Sequence, residues 1–374
     1  MQSFDIVKEN EVKQKSFRVS QIYDQFDLQE DLIKEEFTGA FDLPEEWNIG
    51  IIVGKSGTGK TTIARELFGD YICDFKYAKD SVIDDFEKGL SCEDIIKTLN
   101  AVGFSTPKSW VKPYKVLSNG EKMRVDLARA LLQNKEIIAF DEYTSVIDRE
   151  VAQFGSLAIQ KTVRKRNKKF IAITCHFDVI EWLEPDWVFN TDTMEFKITR
   201  GLHRRRKIKF NIRETKGYWK YFSKYHYLSH SFNKNAKEFT VFTESGKPVG
   251  FCSYIHFPCN SHRKMAIYHR IVVMPDYQGL GIGQYMINWL GEYVMKNTDI
   301  TYFSLITSLK GFARTVMKNK NFKCIHTGHL MCGKNSITAK QCSKYRNTYS
   351  FQYIGKGYEK VANNTKIARK GGEK

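Results

Sequence analysis

Short apolar runs and longer amphipathic stretches alternate along this chain, and the places where one gives way to the other mark its elements. Ile49–Val53 is apolar at every position but Gly50, as in a strand buried on both faces. The glycine-rich stretch 54–62 follows, and Ile63–Phe68 then takes up a helical period. Ile83, Phe86, Leu90, Ile95, Ile96 and Leu99 recur at near-helical spacing and predict a helix over 81–101; Met123–Leu132 predicts another. Glu136–Asp141 and Phe170–Cys175 read as buried strands, and Tyr71–Lys76 as a further candidate strand. Upstream, residues 1–48 mix β-like alternation at 16–20 and 22–26 with an acidic helix-like stretch.

In the second half, Phe239–Thr243 and Val249–Ile255 flank the turn Glu244–Pro248 and predict a hairpin. Ala266–Pro275 predicts a strand, 276–283 a glycine turn, Gln284–Lys296 an amphipathic helix, Thr301–Thr307 a strand, 311–322 a helix and turn, and 345–353 a closing strand. Strand, glycine turn and helix thus occur in this order at two distant places. On 374 residues this means an α/β chain of two domains.

Composition adds the compartment and the class of partner. No apolar run reaches membrane-spanning length, the N-terminal residues lack the basic and apolar regions of a signal peptide, and the 8 cysteines show no repeated spacing. The expectation is a soluble cytoplasmic protein with free thiols and no membrane partner. A net charge of +17, clustered at 161–169, 200–209 and 356–374, points to nucleic acid or, with equal weight, to a solvated basic surface.

Gly54-Lys55-Ser56-Gly57-Thr58-Gly59-Lys60-Thr61-Thr62 has the form G-x-x-x-x-G-K-T between a strand and a helix. Gly54, Ser56, Gly57, Gly59 and Thr62 suit a loop folded around phosphates, Lys60 the β/γ oxygens, and Thr61 a hydroxyl ligand to Mg²⁺. Ser118-Asn119-Gly120 at a helix start is a second anion site. Asp141 ends a buried strand as a Mg²⁺ ligand, Glu142 beside it can polarise a water, and the strand at 170–175 delivers His176. Tyr23 or Phe26 is either an adenine platform or simple core.

These motifs, with 145–148 as a D-loop, resemble the ABC ATPase superfamily in the same order over roughly residues 15–200. The resemblance implies ATP and Mg²⁺ as ligands, Glu142 and His176 as catalytic residues, and two nucleotides sandwiched in an ATP-dependent homodimer, Ser118 and Gly120 of one chain meeting the γ-phosphate on the other. Asp74–Asp80 stands where the family's Q-loop glutamine belongs. The stretch between the phosphate loop and Ser118 is short for a transporter, so soluble ABC ATPases acting on nucleic acid are the nearer comparison.

The second turn lacks the lysine and hydroxyl that a triphosphate needs and suits a pyrophosphate. Val273-Met274-Pro275 followed by Gln278-Gly279-Leu280-Gly281-Ile282-Gly283 resembles motif A of the GNAT acetyltransferases, which implies acetyl-CoA held by Val273, Gln278, Gly279, Gly281 and Gly283. Ile267 stands where the family has its catalytic glutamate. His269, two residues on and on the same strand face, is the candidate base. Met317 replaces the family's tyrosine acid, leaving His226, Tyr225, Tyr227 or water. Cys324, His326, His329, Cys332 and Cys342 have zinc-type side chains at a spacing that matches no zinc module.

The expected division is an ABC-type ATPase domain over 1–199, a basic linker over 200–209, a GNAT acetyltransferase-like domain over 210–355 and a flexible basic tail over 356–374. The joined architecture resembles ABC–acetyltransferase fusions of archaea, bacteria and phages. The leading expectation is an ATP-hydrolysing N-acetyltransferase that modifies an amine on nucleic acid, RNA before DNA. The alternatives are an ATP-gated nucleic-acid clamp with a non-catalytic GNAT fold, or a protein acetyltransferase.

Overall fold

The computed structural model describes residues 2–10, 16–27, 33–199, 209–226, 231–257, 264–329 and 347–355. Two compact units form, Met1–Ala78 with Ser118–Arg205, and Lys79–Leu117 with Arg206–Lys374. The segment 79–117, which precedes Ser118 in sequence, therefore groups with the second unit. Most of the expected linker, 200–208, and the tail 356–374 lie outside the described residues.

In chain order the first unit opens with β1 (Gln2–Asn10), α1 (Phe17–Phe26), β2 (Ile33–Phe41), β3 (Ile49–Val53) and α2 (Lys60–Phe68). Helices α3 (Cys92–Ala101) and α4 (Pro107–Trp110) belong to the inserted segment. The first unit resumes with α5 (Asn119–Leu132), β4 (Ile137–Phe140), α6 (Arg149–Arg166), β5 (Lys169–Thr174), α7 (Val179–Leu183), β6 (Trp187–Asn190) and β7 (Glu195–Ile198). The second contains β8 (Asn211–Thr215), α8 (Trp219–Phe222), β9 (Lys237–Phe242), β10 (Pro248–Phe257) and β11 (Met265–Val273). It ends with α9 (Ile282–Asn297), β12 (Tyr302–Thr307), α10 (Lys310–Met317), β13 (Phe322–His329) and β14 (Asn347–Tyr353).

The first unit's main sheet has the order β4-β5-β3-β6-β7. Strand β3 runs parallel to both neighbours and is buried along its whole length, hence its continuous apolar run. Gly50 is required there, because a Cβ would come within 2.0 Å of the ring of Trp187. That fully buried indole lies among Phe41, Trp47, Phe68 and Phe196. Phe4 and Phe41 dock the separate β1–β2 pair onto this core.

Three local expectations are corrected. Residues 16–26 are not strand-like: Ser16 Oγ accepts from Val19 N and caps α1, and Asp27 at φ 48° closes it. Tyr71–Lys76 forms no strand; a 3₁₀ turn at Gly69–Tyr71 leads into a single bridge between Ile72 and Ala139. The helix expected over 81–101 is split, because Ser91 Oγ accepts from Asp94 N and starts α3 afresh, leaving only a 3₁₀ turn at Val82–Asp85 upstream.

The second unit is a seven-stranded sheet, β13-β14-β12-β11-β10-β9-β8. The hairpin β9–β10 and the closing strand β14 form as the sequence predicts. Strands β11 and β12 pair in parallel only from Met265–Ile267 to Tyr302–Ser304. Among the described residues, beyond that point β11 keeps only β10 and β12 keeps only β14, so the sheet parts between them.

Candidate functional site

The glycine loop leaves β3 at its C-terminal end, with Gly57 at φ 87° and Gly59 at φ 74°, left-handed values that turn its N–H groups inward. No side chain caps the start of α2, so its orphan N–H groups remain for an anion. Thr61 Oγ1 donates to Asp141 Oδ1 at 3.2 Å. This places a hydroxyl and a carboxylate side by side, the hard oxygen pair that suits Mg²⁺. The Lys60 ammonium rests on the carbonyl of Lys55 within its own loop.

Glu142 is exposed at φ 51°. Its neighbour Tyr143 is buried, and the Tyr143 carbonyl accepts from Thr174 Oγ1 at 2.9 Å, while Thr174 Oγ1 accepts from His176 N at 3.1 Å. That relay ties the end of β4 to His176 on the loop after β5. Burial first, then the Arg149 guanidinium, hold the His176 pKa below its ordinary value, against the pull of Asp178 and Glu142. Its Nδ1 is buried and makes no hydrogen bond within the described residues. Ser118 caps α5 in a reciprocal box with Glu121, which explains the glutamate of the LSNGE stretch, and Asn119 Nδ2 donates to Val146 O on the D-loop at 3.2 Å.

In the second unit, Gly279 at φ 85° and Gly281 at φ 91° lead into α9, whose start also carries no side-chain cap. A Cβ at Gly281 would meet nothing within 4 Å, so the loop faces open space there. Along β11, Ala266, Tyr268 and Val272 are buried, whereas Ile267, His269, Ile271 and Val273 are half-buried, and the register with β10 shifts at His269, between the Tyr254–Tyr268 and Ser253–Arg270 pairs. The parting of β11 from β12 after Ile267 lies next to a helix start that suits a pyrophosphate; among the β11 carbonyls beyond it, His269 O accepts from Arg270 Nη1 at 3.0 Å and Val273 O from Gln278 Nε2 at 3.0 Å.

The family model described as "ABC transporter" matches residues 74–145, and that described as "Acetyltransferase (GNAT) family" matches residues 201–313. The chain joins an ABC-type ATPase domain to a GNAT domain. Among curated proteins it is similar to an energy-coupling factor transporter ATP-binding protein, EcfA, of Malacoplasma penetrans, 26% identical over 215 residues, which are 46% of this chain and 72% of that protein. An ABC transporter ATP-binding protein, y4gM, of Sinorhizobium fredii is 38% identical over 94 residues, 23% of this chain and only 16% of that protein. Among solved structures, a dimeric bacterial ABC transporter cassette shares 15% identity at a TM-score of 0.37, covering 52% of this chain and 100% of that one. A spermidine/spermine N-acetyltransferase of Vibrio cholerae shares 14% at 0.31, covering 38% and 91%. Among the described residues no helix is long and apolar enough to cross a membrane.

Several residues that serve the ABC site escape sequence reasoning. Asp192, in the turn between β6 and β7, accepts from Lys55 N at 2.7 Å, and Thr191 Oγ1 meets Thr58 Oγ1 at 2.6 Å, so the phosphate loop is braced from far along the chain. Lys8 Nζ on β1 donates to Thr62 Oγ1 at 2.5 Å, and the Phe37 ring lies against Gly59. Arg149 pairs with Asp178 and lies over Trp182, steadying the approach to His176. At 74–80, the position of the ABC family's Q-loop glutamine, Arg129 stacks on Phe75 and Tyr77, and Tyr77 Oη donates to Asp126. Neither Tyr23 nor Phe26 is core, since no residue of α1 is buried.

In the GNAT half two expectations need amendment. The Gln278 side chain is engaged by the protein itself, its Nε2 donating to Val273 O at 3.0 Å and its Oε1 accepting from Ser105 N at 2.7 Å. His269 Nε2 accepts from Asn233 N at 3.2 Å, which in the neutral ring puts the proton on Nδ1. Burial, then Arg270 and His226, push its pKa down to about 4. His226 is buried edge-on to Trp219, and the exposed thioether of Met317 cannot donate a proton. Of the cysteine–histidine cluster, Cys332 and Cys342 and the His329 side chain lie outside the described residues; so does Tyr227.

Proposed function

We propose that this chain is an ATP-hydrolysing, acetyl-CoA-dependent N-acetyltransferase that works as an ATP-dependent homodimer and modifies an amine on nucleic acid, RNA before DNA. The observation that carries the transferase reading is the opening between β11 and β12 beside an uncapped helix start with two left-handed glycines. Gly279, Gly281 and Gly283 would hold the pyrophosphate through their N–H groups, with Val273 at the strand edge; acetyl-CoA, when bound, supplies the activated acyl group. Here the chain's own part is to orient the acceptor and take its proton: the amine's N–C bond would form as the thioester C–S bond breaks, and the departing thiolate would take its proton from water. His269 is neutral at physiological pH, and an acceptor that displaces Asn233 frees Nε2 to act as the base.

In the ABC half Lys60 and the loop N–H groups would bind the phosphates, Thr61 and Asp141 would hold Mg²⁺, Glu142 would orient the attacking water and His176 would steady the γ-phosphate. Ser118 and Gly120 would be presented to the other protomer. The excess of 59 basic over 42 acidic residues supports the nucleic-acid acceptor, because phosphates draw such a surface in. A second reading, a clamp whose GNAT fold binds without transferring, is favoured by Met317 and by the engaged Nε2 of His269.

Calorimetry with acetyl-CoA, and labelled-acetyl transfer to co-purified nucleic acid with and without ATP, test the reading. Wild type should bind and transfer. Gly281→Val should lose the cofactor, and His269→Ala should bind it yet transfer about 10²–10⁴-fold more slowly. Binding without transfer would establish the clamp, and no binding would remove acetyl-CoA from the function altogether.

A further inference from the structure

Residues 79–117 run in sequence from the end of the first ABC segment to the residue before Ser118, and the family match to ABC proteins spans them, yet they pack with the GNAT unit. One of their bonds there falls on the residue that opens the glycine loop. Ser105 N donates to Gln278 Oε1 at 2.7 Å, and the same carboxamide donates to Val273 O at 3.0 Å. One side chain thereby fastens the insert, the end of β11 and the start of the loop together. On α3, Glu93 pairs with Arg314 of α10, and Lys108 on α4 donates to the carbonyl of His226 at 3.4 Å. Gln278 immediately precedes Gly279 and Gly281. Glycines lose the most backbone freedom on ordering, so an anchor at the mouth of such a loop decides how much of that cost is met before a ligand arrives.

We propose that Ser105 is a positioning residue of the acyl-CoA site, and that the insert contributed by the ABC half holds the glycine loop in its binding conformation through Gln278. The proposal rests on the reading of the GNAT half as an acyl-CoA site. The donor is a main-chain N–H, so the position matters more than the serine. Because Leu117 is bonded directly to Ser118, nucleotide binding that draws on Ser118 has a covalent route to the loop, and acetyl-CoA and ATP should alter each other's affinity by the same factor.

The test uses the full chain, with acetyl-CoA as the probe in calorimetry and melting temperature as the check on folding. Ser105→Pro removes the N–H while also fixing the backbone φ there, which the melting temperature controls for, whereas Gln278→Leu removes both bonds of the carboxamide. Each should weaken acetyl-CoA binding by about 3- to 10-fold, the range expected of one hydrogen bond. The double variant should be no weaker than Gln278→Leu alone, since both changes break one link. Glu93→Arg should weaken binding to a smaller extent, with Arg314→Glu in the same chain restoring it; this pair decides the matter should Ser105→Pro fail to fold. Affinities within twofold of wild type, or losses that add in the double variant, would overturn the positioning role. Wild type that binds no acetyl-CoA at all would instead overturn the acyl-CoA reading, and the proposal with it.

Discussion

Gly54 ends β3 and opens the phosphate loop, and replacing it with alanine tests how that loop is held. A methyl group there would lie 2.2 Å from Thr191 Oγ1 and 2.8 Å from both Asp192 Oδ1 and Thr58 Oγ1. Those oxygens make the two braces of the loop, Thr58–Thr191 at 2.6 Å and Lys55 N to Asp192 at 2.7 Å. Thr191 cannot retreat freely, because its N–H is bonded to Val53 O at 2.8 Å. Gly54 itself does not have a positive φ, so the effect is contact and not backbone strain. Losing a neutral bond costs about 0.5–1.5 kcal/mol and one to a carboxylate about 1.5–3 kcal/mol. Together they amount to about 2–4 kcal/mol against the braced loop, or roughly 30- to 1,000-fold weaker ATP binding. Asp192→Ala removes only the second brace and should weaken ATP by roughly 10- to 100-fold. Titration with a fluorescent ATP analogue, alongside thermal melts that should move little, measures both. A folded Gly54→Ala protein that binds ATP within threefold of wild type would refute the bracing argument.

Glu142→Gln keeps the size of the side chain and removes the charge that orients water, so it should bind ATP, hydrolyse it about 10²–10⁴-fold more slowly and accumulate a dimer; size-exclusion with ATP that shows only monomer would rule out the nucleotide sandwich. Gly50→Ala drives a methyl to about the position of the Trp187 ring and should destabilise the ABC half by about 3 kcal/mol, the upper end of ordinary overpacking, which an unshifted urea midpoint would contradict. His269 has its pKa lowered to about 4 from about 6.5, chiefly by burial, so the folded state resists its protonation. Its contribution to stability is present above pH 6.5 and is lost as pH falls towards 4, and His269→Asn should flatten the fall in urea stability over that window. Parallel stability–pH curves for the two proteins would show that burial is not acting on this group.

What could be read from the sequence follows from how far apart the cooperating groups stand. The phosphate loop needs its glycines, lysine and threonine within a few residues of one another, and Asp141 and Glu142 are neighbours, so those parts are visible as motifs, and so are the glycines of the GNAT turn. Asp192, Thr191 and Lys8 reach the same loop across 137, 133 and 54 residues, and nothing in their immediate neighbourhood marks them. Local patterns misled where a short polar side chain had another option: Ser16 and Ser91 bond to nearby N–H groups and set helix starts that hydrophobic period alone does not locate.

The same distance argument explains the insert and the candidate base. The apolar period of 92–101 says that α3 has a buried face but not which core receives it, because any core of the right shape accepts Ile95 and Leu99 equally well. What selects the GNAT unit is polar and directional: the Glu93–Arg314 pair and the Ser105–Gln278 bond join residues 221 and 173 positions apart. Strand alternation puts His269 on β11, but its Nε2 accepts from an N–H at Asn233, 36 residues away, and the strand's register shifts at that residue. Strand period thus locates a side chain, whereas its chemistry is set by whichever distant N–H or carboxylate the fold brings to it, as Asn233 N does for His269 Nε2 and Ser105 N for Gln278 Oε1.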